Sequence, residues 1–147
     1  MNDINANHKC TNMTGYKALY ITPLNEVSAV NLIDKQTKEI VFAAGGSFGK
    51  IDCYDIKVQS NYDSDFYKNK ITANFRSKND MSHLFNSLTK NRFIIKVTDN
   101  NGYSYIYGGK DEPLRFSFDF VGNPNPKQTK EYQLTFYGNT TFPAFKI

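Results

Sequence analysis

The strongest constraint on the fold is a pair of alternating segments on either side of an Asn-Gly turn. Residues 92–99 read Arg-Phe-Ile-Ile-Lys-Val-Thr-Asp, and residues 103–107 read Tyr-Ser-Tyr-Ile-Tyr. Between them, Asn101 and Gly102 form an Asn-Gly pair, which readily adopts the positive φ angles of a tight hairpin turn. Alternation with a period of two is typical of a half-buried strand. This part of the chain therefore predicts a β-hairpin and contains no pattern of a catalytic centre.

Strand patterns recur along the rest of the chain. They cover residues 17–22, 26–33, 38–43, 52–60, 65–75, 116–120 and 132–136. The segments between the first three are too short for a helical crossover, which predicts an antiparallel meander. The two runs between 52 and 75 predict a long hairpin that extends partly beyond the core.

One segment changes to a helical period. Met81, Leu84, Phe85 and Leu88 fall at i, i+3, i+4 and i+7, which places them on one apolar stripe. The preceding segment, residues 77–80, resembles a capping box in which either Ser77 or Asn79 acts as the N-cap. We therefore predict a mainly β protein, an antiparallel sandwich or partly closed barrel, with one short α-helix at about residues 78–90.

Size and composition favour one domain and argue against several functional classes. The chain has 147 residues, which is enough to bury a core, so we predict a single β domain over residues 16–147 after a flexible arm at residues 1–15. The net charge of +4 comes from lysines that are spread along the chain, whereas nucleic-acid binders cluster them. No apolar run approaches the ~18 residues of a membrane span, and the first residues lack a signal-peptide pattern. The two cysteines are expected to be free thiols.

The glycine-rich loop at residues 45–50 invites comparison with a phosphate-binding loop. Only three residues separate Gly45 from Gly49, and Ile51 stands where such a loop carries Ser or Thr. The spacing therefore argues against phosphate binding. A hairpin loop or a subunit contact is the better interpretation.

Four residues could in principle ligate zinc: His8, Cys10, Cys53 and His83. Neither pair has the spacing of a structural zinc site, and no local signature makes Cys53 a nucleophile with His83 as its base. We predict that Cys53 is a buried thiol in a strand.

The acidic residues of the central hairpin could in principle act as calcium ligands or as paired catalytic carboxylates. They are Asp52, Asp55, Asp63 and Asp65. The order of an EF-hand loop is missing, so they are interpreted as solvated turn residues. We predict no catalytic residues, no metal, no cofactor and no enzymatic activity.

The tyrosine row of Tyr103, Tyr105 and Tyr107 leaves alternatives open. Such a row can form a stacking platform for sugars or bases. It can equally form cross-strand pairs or contacts between subunits.

Several features follow one another in a fixed order from the helix onward. They are the apolar helix at 84–88, the strand at 93–99 ending in Asp, the turn at 100–102, the aromatic strand at 103–108 ending in Gly, the segment 114–116, Leu134-Thr135-Phe136, Gly138, and the closing segment 143–147. In this order the chain resembles small virion structural proteins of tailed phages that infect Bacteroidetes, of the tail-tube-like type. The resemblance covers residues 84–147. One departure is Tyr105-Ile106-Tyr107, where the family usually has a Trp and a Leu pair.

This resemblance implies a structural subunit of a phage tail or neck that assembles into rings and forms part of the DNA-delivery conduit. The implied partners are copies of the chain in a ring, expected to be a hexamer, and other phage tail or neck proteins. DNA would pass without sequence-specific binding, no membrane is involved, and the protein resides in the virion after assembly in the host cytoplasm. The predicted subunit contacts are Gly45, Gly46, Phe48, Lys50, Tyr62, Phe66 and Tyr67. The alternative is a carbohydrate-binding module of a phage receptor-binding or fibre protein.

Overall fold

The computed structural model describes residues 1–5, 15–32, 38–43, 45–122 and 129–147. These residues form a mainly β, antiparallel structure with a single short α-helix, which confirms the predicted fold class, and the sheet is not closed into a barrel. The elements are β1 (Tyr16–Pro23), β2 (Val27–Leu32), β3 (Lys38–Phe42), β4 (Gly49–Ile51), β5 (Tyr54–Asp63), β6 (Phe66–Ser77), α1 (Ser82–Leu88), β7 (Arg92–Asp99), β8 (Ser104–Tyr107), β9 (Leu114–Phe120), β10 (Lys130–Thr140) and β11 (Phe145–Lys146).

Nine of the described strands belong to one sheet that branches at β7. One edge of β7 pairs with β1, and β1 pairs on its other side with β4. The opposite edge of β7 is shared, because β8 pairs with residues 95–98 and β9 with residues 92–93. From β9 the sheet continues through β10 and β6 to β5, and from β8 it continues to β11.

The predicted meander of the first three strands is wrong in one respect. β2 and β3 form the expected hairpin, but it is a separate two-stranded sheet, and β1 pairs with β7 and β4 instead. A 3-10 turn at Leu24–Glu26 follows Pro23 and redirects the chain before β2 begins. The local sequence alternates in the same way in both arrangements, so the pairing partner is decided by tertiary packing.

The hairpin of β2 and β3 covers the outer face of β7 and β8. Val27, Ile94 and Ile106 form a small buried cluster between them. The main core lies on the opposite face of β7, where Phe93, Ile95 and Val97 are fully buried. Because both faces of β7 are covered, its sequence alternates less cleanly than that of a strand with one wet face.

The main core is aromatic where α1 packs on the sheet. The ring of Phe85 lies 5.4 Å from that of Phe75 and 5.2 Å from that of Tyr132, both edge to face, and it also contacts Phe116 and Phe118. Edge-to-face packing places the positive edge of one ring against the negative face of the next. Phe85 thus anchors the helix.

The helix is shorter than predicted, and its predicted cap is wrong. Met81 occupies the N-cap position and makes no side-chain capping bond. The free N–H groups are satisfied in other ways: the Ser82 N–H donates to Asp80 Oδ1 at 2.9 Å, and the Met81 N–H donates to the Tyr132 hydroxyl at 3.0 Å. Ser77 instead accepts a hydrogen bond from the Asn79 N–H. The cap therefore includes a tyrosine 51 residues away, which the local sequence does not reveal.

The turn between β7 and β8 forms the predicted hairpin by a slightly different route. Only Gly102 has a positive φ, at 90°. The Asp99 carboxylate accepts hydrogen bonds from the Asn101 and Tyr103 N–H groups at 2.9 and 3.0 Å. This is the longer hairpin turn in which one glycine takes the left-handed conformation.

The first five residues pack against the domain. Ile4 is buried and forms a parallel bridge with Ile51, through bonds from the Ile4 N–H to the Lys50 carbonyl at 2.8 Å and from the Asp52 N–H to the Ile4 carbonyl at 2.9 Å. Residues 1–5 thus lie beside β4, joined to it by this single bridge, and pack on the domain. The rest of the predicted arm, residues 6–14, lies outside the described residues.

Candidate assembly surface

The hairpin of β5 and β6 runs past the end of the core. Its strands pair regularly from Lys57 with Thr72 to Asp63 with Phe66. Inward-facing residues near the middle, such as Ile56 and Ile71, are fully buried, whereas residues 59–65 are all exposed. The strand pairing therefore continues for about half the hairpin without a core beneath it.

Side chains on the tip of the hairpin organise one another. The rings of Tyr62 and Tyr67 lie 5.0 Å apart, and Tyr62 is 65% exposed. The Tyr62 hydroxyl donates to the Ser64 carbonyl at 2.7 Å, and Lys68 pairs with Asp63 at 3.0 Å. The Lys68 ammonium thereby holds the pKa of the Asp63 carboxyl below its ordinary value.

A polar network marks the boundary between the tip and the core. Asn69 is almost fully buried, and its amide oxygen accepts from the Ser60 hydroxyl at 2.7 Å. Its amide nitrogen donates to the Thr140 hydroxyl at 2.9 Å, and Thr140 donates to the Phe142 carbonyl at 2.7 Å. Because a buried amide is costly without partners, this network fixes where the hairpin leaves the body of the protein.

The loop at residues 45–50 packs on its own chain. A Cβ on Gly46 would lie 2.7 Å from the Glu26 carbonyl, and one on Gly49 would lie 2.6 Å from the Asn2 carbonyl. Both glycines are thus required by a close approach of backbone. Phosphate binding is not needed to account for them.

One lysine links this loop to the sheet. The ammonium of Lys96 lies 4.2 Å from the centre of the Tyr20 ring and 4.9 Å from that of Phe48. Phe48 in turn packs edge to face against Phe42 at 5.3 Å. Partial burial lowers the pKa of Lys96. The attraction between the cation and the ring faces offsets some of the lost hydration.

The predicted contact residues therefore fall into two groups. On the hairpin tip, Tyr62 is exposed, and Phe66 and Tyr67 are half-buried. In the loop, Gly45 and Lys50 are exposed, whereas Gly46 and Phe48 are half-buried by contacts within the chain. Their role as subunit contacts stays a prediction.

The residues considered for zinc or thiol chemistry do not form a site among the residues described. Cys53 packs against the main core, and burial, with the nearby Asp52 carboxylate, raises its pKa to about 12. His83 lies on the exposed face of α1. The described part of the chain holds no group of three or more His, Cys, Asp or Glu residues that could bind a metal, and His8 and Cys10 lie outside it.

The tyrosine row does not present one exposed platform. Tyr107 is buried and Tyr105 is half-buried, and both pack on the main core. Burial raises the pKa of Tyr107 to about 12. Tyr103 is 50% exposed, and the Lys146 ammonium lies 4.0 Å from the centre of its ring. Tyr103 is therefore the exposed member of the row, whereas Tyr105 and Tyr107 line a pocket of about 340 Å³ beside Tyr16.

A cleft that the sequence did not predict lies between the loop after β8 and the chain around β11. Its volume is about 270 Å³. Two of its charged residues have partners in the fold: both oxygens of the Glu112 carboxylate accept from the Thr141 N–H, and the Lys110 ammonium donates to the Ser28 carbonyl at 2.8 Å. These hydrogen bonds join the segment before β9 to the end of β10. Because the partners are far apart in the sequence, no local pattern predicts the cleft.

Comparison with protein-family models, with curated proteins and with solved structures finds no match to this chain. In the part of the chain that the structure describes, no helix is long and apolar enough to cross a membrane.

Proposed function

We propose that the protein is a structural subunit of a bacteriophage tail or neck that assembles into rings and forms part of the DNA-delivery conduit. The observation that carries this proposal is the hairpin of β5 and β6, which keeps its strand pairing beyond the core while its aromatic tip stays exposed. Two further observations support it: the β-sandwich architecture and the ordered series of features from α1 to the closing segment.

The tip of the hairpin gains little from being ordered in an isolated chain. A two-stranded ribbon without a core is marginally stable in water, because its ordering entropy is not offset by burial. The tip nevertheless carries the exposed Tyr62 beside the half-buried Phe66 and Tyr67, and aromatic residues are enriched in the centres of protein interfaces. A neighbouring copy that covers the tip would supply the missing burial.

The loop at residues 45–50 provides the second part of the proposed contact. Gly45 and Lys50 are exposed, while Phe48 and Lys96 hold the loop on the sheet. A loop whose position is already fixed loses little entropy on binding. In the ring, we expect the hairpin tip and this loop of each subunit to contact neighbouring copies. We expect the assembled ring to contact other tail or neck proteins.

Negative-stain microscopy and native mass spectrometry of the purified protein test the proposal. Rings or tubes, with a hexamer as the expected ring, are the supporting result. In Y62E, a charge replaces an exposed aromatic at the tip and should reduce ring formation. Y103E, which makes the same change at an exposed tyrosine on the β7–β8 turn, should leave it intact. A monodisperse monomer that binds glycans through its tyrosines would replace the proposal with the carbohydrate-binding module.

A further inference from the structure

The outer edge of β5 is the longest regular strand edge without a partner in the described chain. β5 pairs only with β6, and over residues 57–63 no described strand pairs with its other side. Every second residue of this edge directs its N–H and C=O groups away from β6. Native proteins usually protect such an edge with a proline, a bulge or several charges. Here the irregularity lies earlier, between Tyr54 and Lys57, and the edge beyond it is regular.

The sequence of this edge is self-complementary in one antiparallel register. Residues 57–63 read Lys-Val-Gln-Ser-Asn-Tyr-Asp. If a second copy is placed antiparallel with Ser60 opposite Ser60, Lys57 lies opposite Asp63, Val58 opposite Tyr62, and Gln59 opposite Asn61. By the two-fold symmetry each pair occurs twice. The first pair joins opposite charges, the second packs an aromatic ring on a β-branched residue, and the third places two amides where they can hydrogen-bond to each other.

We propose that two copies of the free protein pair through the outer edges of β5, antiparallel over residues 57–63, with Ser60 at the two-fold axis. The contact joins the two sheets into one and gives each unpaired N–H and C=O group of the edge a partner. The half-buried Val58 then covers part of the exposed ring of Tyr62 from the other copy. Asp63 already binds Lys68 in its own hairpin, and its second oxygen accepts from Lys57 of the other copy.

The charged pair sets the register and contributes little to affinity. Exposed ion pairs add little to affinity because water screens them, whereas like charges placed opposite each other disfavour a register. Shifting one copy by two residues takes Lys57 away from Asp63: Lys57 lies opposite Asn61 in one direction and opposite Asp65, beyond the end of β5, in the other. The register centred on Ser60 is thus the one that pairs Lys57 with Asp63 inside the regular strand.

This dimer goes beyond the proposed ring and does not depend on it. A two-fold contact closes on itself after two copies, so it cannot by itself extend a ring. Ring assembly through the same hairpin would require the dimer to open. Dimerisation and ring formation can therefore fail independently, and they are measured separately.

Charge reversal tests the contact in solution. For wild-type protein that is not assembled into rings, sedimentation velocity should show a dimer. K57D or D63K should raise its dissociation constant roughly tenfold, because each places like charges opposite at two points. The double variant K57D/D63K restores the opposite pairs and should restore the dimer. K90D, the same change at an exposed lysine after α1, is the control and should have no effect.

Cysteine cross-linking tests the register. Directly opposed residues of antiparallel strands have Cα atoms within about 4.5–5.5 Å, which a disulfide can bridge, whereas residues offset by two positions lie roughly 8 Å apart. In a C10S/C53A background, S60C should therefore oxidise to a covalent dimer and Q59C alone should not. Mixing Q59C with N61C should give the mixed dimer.

Three results would overturn the proposal. The first is a wild-type protein that stays monomeric at about 100 µM, in particular with residues 57–63 protected from hydrogen exchange, since the chain would then cover its own edge. The second is a dimer that the single charge reversals do not weaken. The third is cross-linking of Q59C alone but not S60C, which would show a different register. If S60C cross-links, the covalent dimer should also fail to form rings until it is reduced.

Discussion

The two ends of β6 carry similar aromatic residues but have opposite environments. At one end, Phe75 is fully buried beneath α1 and touches Phe85 edge to face. At the other end, Tyr67 is half-buried, and its ring packs against the exposed ring of Tyr62. The pleat decides which side of the sheet a residue faces, but the element that covers that side decides whether it is buried. The helix end should therefore carry the stability and the hairpin end the contacts with other molecules.

Among the substitutions that test this contrast, F85A should have the largest effect on stability. Removing the ring leaves a cavity among four aromatic neighbours and should lower the free energy of unfolding by about 3–5 kcal/mol, measured by urea denaturation. L84A, one residue away and on the exposed side of α1, should lower it by less than about 1 kcal/mol. Equal effects of the two variants would show that the helix does not anchor the core.

G49A tests the packing of residues 1–5 on β4. The added methyl group meets the Asn2 carbonyl and should displace this segment, with a loss of about 1–3 kcal/mol in the free energy of unfolding. G109A is the matched control, because nothing lies within 4 Å of its added Cβ and its φ is not positive. If both variants unfold at the same urea concentration, the contact at Gly49 carries no stability.

Y132F tests the cap that the tertiary structure provides. The hydroxyl of the fully buried Tyr132 accepts from the Met81 N–H and donates to Asp80 Oδ1 at 3.1 Å. Without it, the Met81 N–H loses its partner, and we expect a loss of about 1–2 kcal/mol. Y137F is the control: Tyr137 lies on the same strand but is exposed, and its substitution should not change the free energy of unfolding measurably.

At the hairpin end, Y62A should change the free energy of unfolding by no more than about 0.5 kcal/mol, since the ring is largely exposed. The measurement is made at a protein concentration low enough to keep the chain monomeric. A loss as large as that of F85A would mean that the tip is part of the core, which would remove the contrast between the two ends.

The smallest expected effect concerns the pH dependence of stability. Hydrogen bonds from the Ser82 backbone N–H, the Ser82 side chain and the Tyr132 hydroxyl hold the pKa of Asp80 below its ordinary value of 3.8. A depressed pKa in the folded state gives stability that is present above about pH 4 and is lost as the pH falls through the folded value. D80N should therefore show a smaller loss of stability between pH 5 and pH 2 than the wild type.

The local pattern was enough to predict most strands and the helix. The alternation at residues 92–99 and 116–120 and the stripe of Phe85 and Leu88 each identify an element, because one buried face imposes its period on the sequence. The partner of β1 could not be predicted in this way. The residues of β1 pair with residues of β7 that lie 70 to 83 positions later in the chain. The burial of Ile94 on the second face of β7 could not be predicted either, because it depends on packing against Val27 and Ile106, which are distant in the sequence.

The candidate surface was predicted in part. The long hairpin and its extension beyond the core were predicted from residues 52–75, and the structure confirms both. The reason for the glycines at 46 and 49 could not be predicted, since it lies in the approach of Glu26 and Asn2. The burial of Asn69 could not be predicted either, because its amide is satisfied by a hydroxyl group on β10, a strand distant in the sequence.

The branching of the sheet at β7 affects how the chain folds during its synthesis. This strand takes partners from residues 16–23, 104–107 and 114–115, so its two edges cannot be completed until most of the polypeptide has left the ribosome. Before that moment β1 is already available, but the edge of β7 that pairs with β8 and β9 stays open, and an unpaired strand edge of this kind is prone to aggregate. Long-range pairing also slows folding, so this open edge persists longer than it would in a fold built from local contacts.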